Sequence, residues 1–126
     1  KNETYLMPAH ADAYDGNSPH TFTLWFPLHN IEDNSGVYLW DLNLSNKFVL
    51  SLNNFKNEFD ENDIINRHPP KKIKLGQCLL FSSLNIHGPA KNNNNLSRLS
   101  FDFRFNKVNL PLYEKYIEYF KLHKIN

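Results

Sequence analysis

The chain has 126 residues, of which 40% are hydrophobic and 14% aromatic, enough to bury a core in one domain and too apolar for a disordered segment. Fourteen Lys+Arg against thirteen Asp+Glu leave a formal charge of +1, so no long-range field draws nucleic acid or an anionic membrane, and the expected partner is a small molecule. The lone cysteine, Cys78, excludes an intrachain disulfide framework and fits a reducing, cytoplasmic compartment; no apolar run is long enough to span a membrane, and no signal peptide is visible.

Taken in order, Glu3 to Pro8 favours a strand that ends just before His10-Ala11-Asp12. Tyr14 to Pro19 is rich in turn formers. Thr21 to Leu28 then alternates Phe22, Leu24, Phe26 and Leu28 against Thr21, Thr23, Trp25 and Pro27, as a strand buried on at least one face does. Glu32 to Gly36 is a turn, and Val37 to Trp40 a short third strand. Between Asp41 and Pro70 the apolar pattern is broken by Asn and Asp, and this stretch (41–70) is expected to be a long loop or insertion with a helical turn near Glu61 to Asn66. Order returns with Lys71 to Leu75 and, past Gly76-Gln77, with Cys78 to Phe81, a central strand in which Cys78 is expected to be a core residue.

The polar tract Lys91 to Asn95 reads as a hairpin loop before the most regular strand, Ser97 to Phe105. That strand places Arg98, Ser100, Asp102 and Arg104 on one face and Leu99, Phe101, Phe103 and Phe105 on the other. Pro111 can open a C-terminal helix (111–124) on which Tyr113, Tyr116, Ile117 and Phe120 recur at helical spacing. Several short strands punctuated by turns point to an all-β sandwich or barrel with that one helix.

The chemistry gathers at His10-Ala11-Asp12, which needs one more donor to hold a metal; His87 is the candidate. Two imidazoles and one carboxylate on one face of an octahedron leave the opposite positions open, as a non-haem Fe(II) oxygenase requires. A bare His-x-Asp arises often by chance. Arg98 adds weight, standing eleven residues beyond His87, because a hairpin between them brings its guanidinium to the neighbouring strand, where it can grip a carboxylate with two prongs, and Ser100 lies on the same face. The plainer alternative makes Arg98, Ser100, Asp102 and Arg104 a solvated strand face with Asp102 ion-paired between the arginines. His29, His68 and His123 have no partner at useful spacing.

Six stretches together carry a family resemblance: His10-Ala11-Asp12, Trp25 to Leu28, Asn34 to Val37, Gly76 to Phe81, His87-Gly88 and Arg98-Leu99-Ser100. In this order they resemble the Fe(II)/2-oxoglutarate-dependent oxygenases of the phytanoyl-CoA dioxygenase type. The tail from His87 to Tyr113 is similar to the branch found in bacterial carbohydrate-biosynthesis clusters. The resemblance implies a double-stranded β-helix, a cupin-like jelly roll. It makes His10, Asp12 and His87 the iron ligands, and Arg98 the anchor of the distal 2-oxoglutarate carboxylate with help from Ser100.

The implied reaction consumes 2-oxoglutarate and O2, releases succinate and CO2, and hydroxylates a small molecule, a sugar or sugar-linked metabolite. Candidate substrate contacts are Tyr14, Asn17, His20 and Arg104. Pro89 departs from relatives that carry a small polar residue two positions after the second histidine, which removes one secondary co-substrate contact. The resemblance also implies that a first strand and N-terminal helices are missing ahead of His10. The phenylalanine face would then be left for that segment, an oligomer partner or the last helix to cover. Two rivals remain open: a jelly-roll sugar-binding module without turnover, and a divalent-metal cupin acting as a sugar isomerase or epimerase, which has no need of Arg98.

Overall fold

A computed structural model describes residues 9–32, 35–53, 66–92, 95–107 and 109–110. Its elements are β1 (Thr21–Pro27), β2 (Val37–Leu39), α1 (Leu42–Asn53), β3 (Leu79–Ser82), β4 (His87–Pro89) and β5 (Ser100–Asn106). β1 is the central strand of a three-stranded antiparallel sheet, β3-β1-β5, in which Thr23 faces Phe81 on one side and Arg104 on the other. β2 and β4 form a second antiparallel pair. The free edge of β4 takes up His10, whose N–H and C=O both bond to His87 at 3.0 and 2.8 Å. The described chain is thus mainly β, with antiparallel sheets and one helix.

Alternation along the strands sorts the side chains into two clusters. From β2, Val37 and Leu39 join Trp25 of β1, Phe81 and Leu79 of β3, Ile31 and Ile73 in a cluster that spans both sheets. The intervening Tyr38, with Trp40 just past the strand, turns the other way to meet Ala11, Ile86 and Ala90 under Leu44, Phe48 and Val49 of α1. Trp40 is wholly buried, its ring edge-on to Phe48 at 5.4 Å. Burying an indole of this size supplies roughly 4–6 kcal/mol of transfer free energy, an upper bound because the unfolded chain hides part of it already.

The helix is a correction to the loop expected over 41–70. Asp41 caps it, its Oδ1 accepting from the Leu44 N–H at 2.8 Å, and Leu44, Phe48 and Val49 give it an apolar stripe. Asn43, Asn46 and Asn53 are poor helix formers, so tertiary burial of the stripe decides the outcome over local propensity. Cys78 is a second correction: it lies exposed, just before β3, because that strand begins at Leu79 and buries Phe81. Gly16 and Gly76 turn the chain with φ of 91° and 89°. The expected strand at Glu3 to Pro8, most of the turn near Glu61 to Asn66, and the C-terminal helix at 111–124 lie outside the described residues.

β1 and β5 turn their phenylalanines away from the interior. Phe22, Phe101, Phe103 and Phe105 are each about half exposed, and Phe26 stacks on Phe103 at 5.5 Å. The inward face carries Thr21, Thr23, Trp25 and Pro27 instead. Among the described residues no helix is long and apolar enough to cross a membrane.

Candidate metal centre

In an extended segment alternate side chains share a face, so His10 and Asp12 both point to the space between the sheets while Ala11 packs under α1. The paired backbones of His10 and His87 set their two imidazoles side by side, ring centroids 4.5 Å apart. Asp12 completes the group: one ligand atom from each of His10, Asp12 and His87 falls within 4.8 Å of the others. Sequence and structure therefore bring together the same three residues.

The loop after Asp12 is held firmly. Asn17 is buried, and its backbone N–H and its Nδ2 both donate to the Asp12 carbonyl, at 3.1 and 3.0 Å. Ser83, wholly buried, ties the loop to β3: its Oγ donates to the Ser18 carbonyl at 2.8 Å, and its own carbonyl accepts from the Ala13 N–H at 2.9 Å. Of the expected substrate contacts, Asn17 is therefore occupied in fixing this loop, whereas Tyr14 and His20 are exposed.

His87 is buried, flanked by Phe81 at 4.6 Å between ring centroids, and its Nδ1 lies 3.0 Å from the Asn85 carbonyl. A carbonyl only accepts, so Nδ1 carries the proton and Nε2 keeps its lone pair, the tautomer a metal ligand needs. Burial holds the imidazole below its usual pKa, against the Asn85 carbonyl and the Asp12 charge, which favour the proton. Asn85 is itself fixed: its Nδ2 donates to the Trp40 carbonyl and its Oδ1 accepts from the Ser82 N–H.

Asp12 is almost wholly buried. Burial alone would raise its pKa, but hydrogen bonds and charge from Arg104, the nearby His87 and a hydrogen bond from Thr23 outweigh it, and the carboxyl sits below the usual range. Arg104 reaches across from β5 as a fork, Nε to Oδ2 and Nη2 to Oδ1, each 3.1 Å. Thr23 Oγ1 donates to the same Oδ2 at 3.1 Å. Arg104, expected near substrate, thus grips a metal-ligand candidate. Thr23 had no motif to mark it; its only signal was a hydroxyl on the strand face that also carries Trp25.

Arg98 lies two residues before β5. Its Nη1 donates to the carbonyls of Ser35 and Gly36 at 2.7 and 2.8 Å, and its guanidinium lies 5.9 Å from the Trp25 ring centroid. Nε and Nη2 make no hydrogen bond to the described residues, and Arg98 borders a cleft of about 380 Å³ with His29, Asn92 and Leu96. The Gly36 carbonyl also accepts from the N–H of Ala90. The guanidinium is therefore anchored near the Ala90 N–H, just past the end of β4. Ser100 is half-buried on the Arg104 face of β5; Asp102 lies between Arg98 and Arg104, exposed as a residue yet with its carboxyl desolvated enough to be raised against the pull of Arg104.

No protein-family model, curated protein or solved structure matches the chain. What the site can do is read from its donors. Two imidazole nitrogens and one carboxylate suit a divalent transition metal, and three donors leave further coordination positions for other ligands.

Proposed function

We propose that this chain is the core of an Fe(II)/2-oxoglutarate-dependent oxygenase of the phytanoyl-CoA dioxygenase type, built on a double-stranded β-helix. Its substrate would be a small molecule, in keeping with a sugar or sugar-linked metabolite, and it would act in the cytoplasm. The observation that carries the reading is the convergence of His10, Asp12 and His87 within 4.8 Å, with the His87 tautomer fixed by Asn85. The strand order supports the fold: β3-β1-β5 faces a layer in which the His10 segment, β4 and β2 lie side by side, with the metal donors between.

Iron bound to this trio would supply the activation of O2, coupled to oxidative decarboxylation of 2-oxoglutarate. The residues of the chain do the rest. His10, Asp12 and His87 would fix the metal with one side open. Arg98 would grip the distal carboxylate of 2-oxoglutarate through Nε and Nη2, which make no hydrogen bond to the described residues, and Ser100 would add a hydroxyl. Trp25, Val37 and Phe81 wall the interior against water.

The test is succinate formation from 2-oxoglutarate under air with Fe(II). Wild-type protein should produce it, His87→Ala should not, and Arg98→Ala should lose it while retaining metal. A metal isomerase would be indifferent to Arg98, and a binding module would yield no succinate at all; either result rejects the oxygenase reading.

A further inference from the structure

The Asp12 carboxylate has four lone-pair directions, and the structure accounts for three of them. Oδ2 accepts from both Thr23 Oγ1 and Arg104 Nε and is full. Among the described residues Oδ1 accepts only from Arg104 Nη2, which leaves its second direction for a further ligand. Oδ1 is also the oxygen that approaches His10, 3.9 Å from its Nε2. We propose that Arg104 and Thr23 are positioning residues that hold Asp12 as a one-oxygen ligand through Oδ1, so that the metal keeps three coordination positions free of protein.

This inference rests on the metal reading above and extends it to two residues outside the donor set. A carboxylate released from the fork could swing both oxygens onto the metal and close a position that a chelating co-substrate needs. Arg104 suits the task because its planar fork fixes the carboxylate plane, which the single ammonium of lysine cannot do. It need not leave when metal binds, since its bonds and the open Oδ1 direction do not compete. Backbone pairing sets the geometry: Thr23 and Arg104 are directly opposed across β1 and β5, so both donors reach Asp12 from one rung of the sheet.

The test titrates Mn(II) by calorimetry and records the visible absorption of the Co(II) form, without 2-oxoglutarate or turnover. Thr23→Val and Arg104→Gln should each weaken Mn(II) binding by about 10–100-fold. Thr23→Ser, which keeps the hydroxyl, should restore wild-type affinity and so separate the hydrogen bond from any packing defect. Arg104→Lys should keep the charge yet show an altered Co(II) band intensity as a second oxygen joins the metal. Wild-type affinity in Thr23→Val and Arg104→Gln overturns the proposal, as does an Arg104→Lys protein with the wild-type Co(II) spectrum and affinity. A wild-type protein that binds neither metal rejects the metal reading itself, an outcome distinct from indifferent variants of a metal-binding protein.

Discussion

The helix α1 and the metal-site segment are joined by one hydrogen bond whose removal has a calculable cost. Ser45 is wholly buried on α1, and its Oγ accepts from the N–H of Ile86, the residue before His87, at 2.9 Å. Ser45→Ala leaves that N–H without a partner where water does not reach, which costs about 1–3 kcal/mol. Alanine's better helix propensity returns about 0.5 kcal/mol. The net destabilisation should therefore be roughly 0.5–2.5 kcal/mol, measured by urea unfolding at constant m. Asn46→Ala, one position along and exposed, gains the propensity without losing a bond, so it should be slightly stabilising and serves as the control. Equal stability for the two variants would refute the claim that α1 secures the segment leading into His87. Mn(II) affinity should fall with Ser45→Ala as well, because Ile86 also ties back to Trp40 through its carbonyl and sets the path of β4.

Other outcomes follow from the same packing. In Gly36→Ala, a Cβ would stand 2.5 Å from the Lys71 carbonyl oxygen, a backbone atom held by the Lys71–Val37 pairing, so the variant should lose about 1–3 kcal/mol and, by moving the Gly36 carbonyl, weaken the seat of Arg98; unchanged stability would show the loop to be pliant. The metal-free protein should lose stability as pH falls below the usual histidine value of 6.5, because His87 is held below it and the unfolded chain takes up the proton first. His87→Gln should remove that component, and an identical slope in the variant would contradict it. Asp12 acts lower: its folded carboxyl is depressed below the usual 3.8, so its contribution is present above that value and disappears only as pH falls through the depressed one.

Much of the site was legible because its signals are local. His10-Ala11-Asp12 declares its own geometry, since alternation on an extended segment puts both donors on one face wherever the segment goes. The strand at β5 was readable in part: its alternation separated Leu99, Phe101, Phe103 and Phe105 from Arg98, Ser100, Asp102 and Arg104, while which face turns toward the donors was open, and the fork from Arg104 to Asp12 decides it. What sequence could not give was which inward residue meets which partner. Arg104 and Asp12 are 92 positions apart, and only the register of β5 on β1 brings the fork to Asp12 rather than to its strand neighbour Asp102.

α1 was hidden for a different reason. Its Asn-rich composition argues locally against a helix, and the apolar stripe of Leu44, Phe48 and Val49 becomes decisive only against Trp40 and Tyr38. Cys78 misled through its neighbours: the apolar run Cys78 to Phe81 was read as buried throughout, whereas β3 alternates and turns Leu80 out along with it. Thr23 shows the limit most clearly, for a threonine in a strand has an ordinary conformational explanation and its bond to Asp12 exists only in three dimensions.

The most direct measurement is anaerobic calorimetry of 2-oxoglutarate added to the Mn(II)-loaded protein, compared with the metal-free protein and with Arg98→Ala. Binding should appear only with metal and should weaken sharply in Arg98→Ala while Mn(II) affinity is unchanged. Binding of 2-oxoglutarate that is indifferent to both metal and Arg98, or no binding to the metal-loaded protein, would contradict the assignment of His10, Asp12, His87 and Arg98 to one co-substrate site.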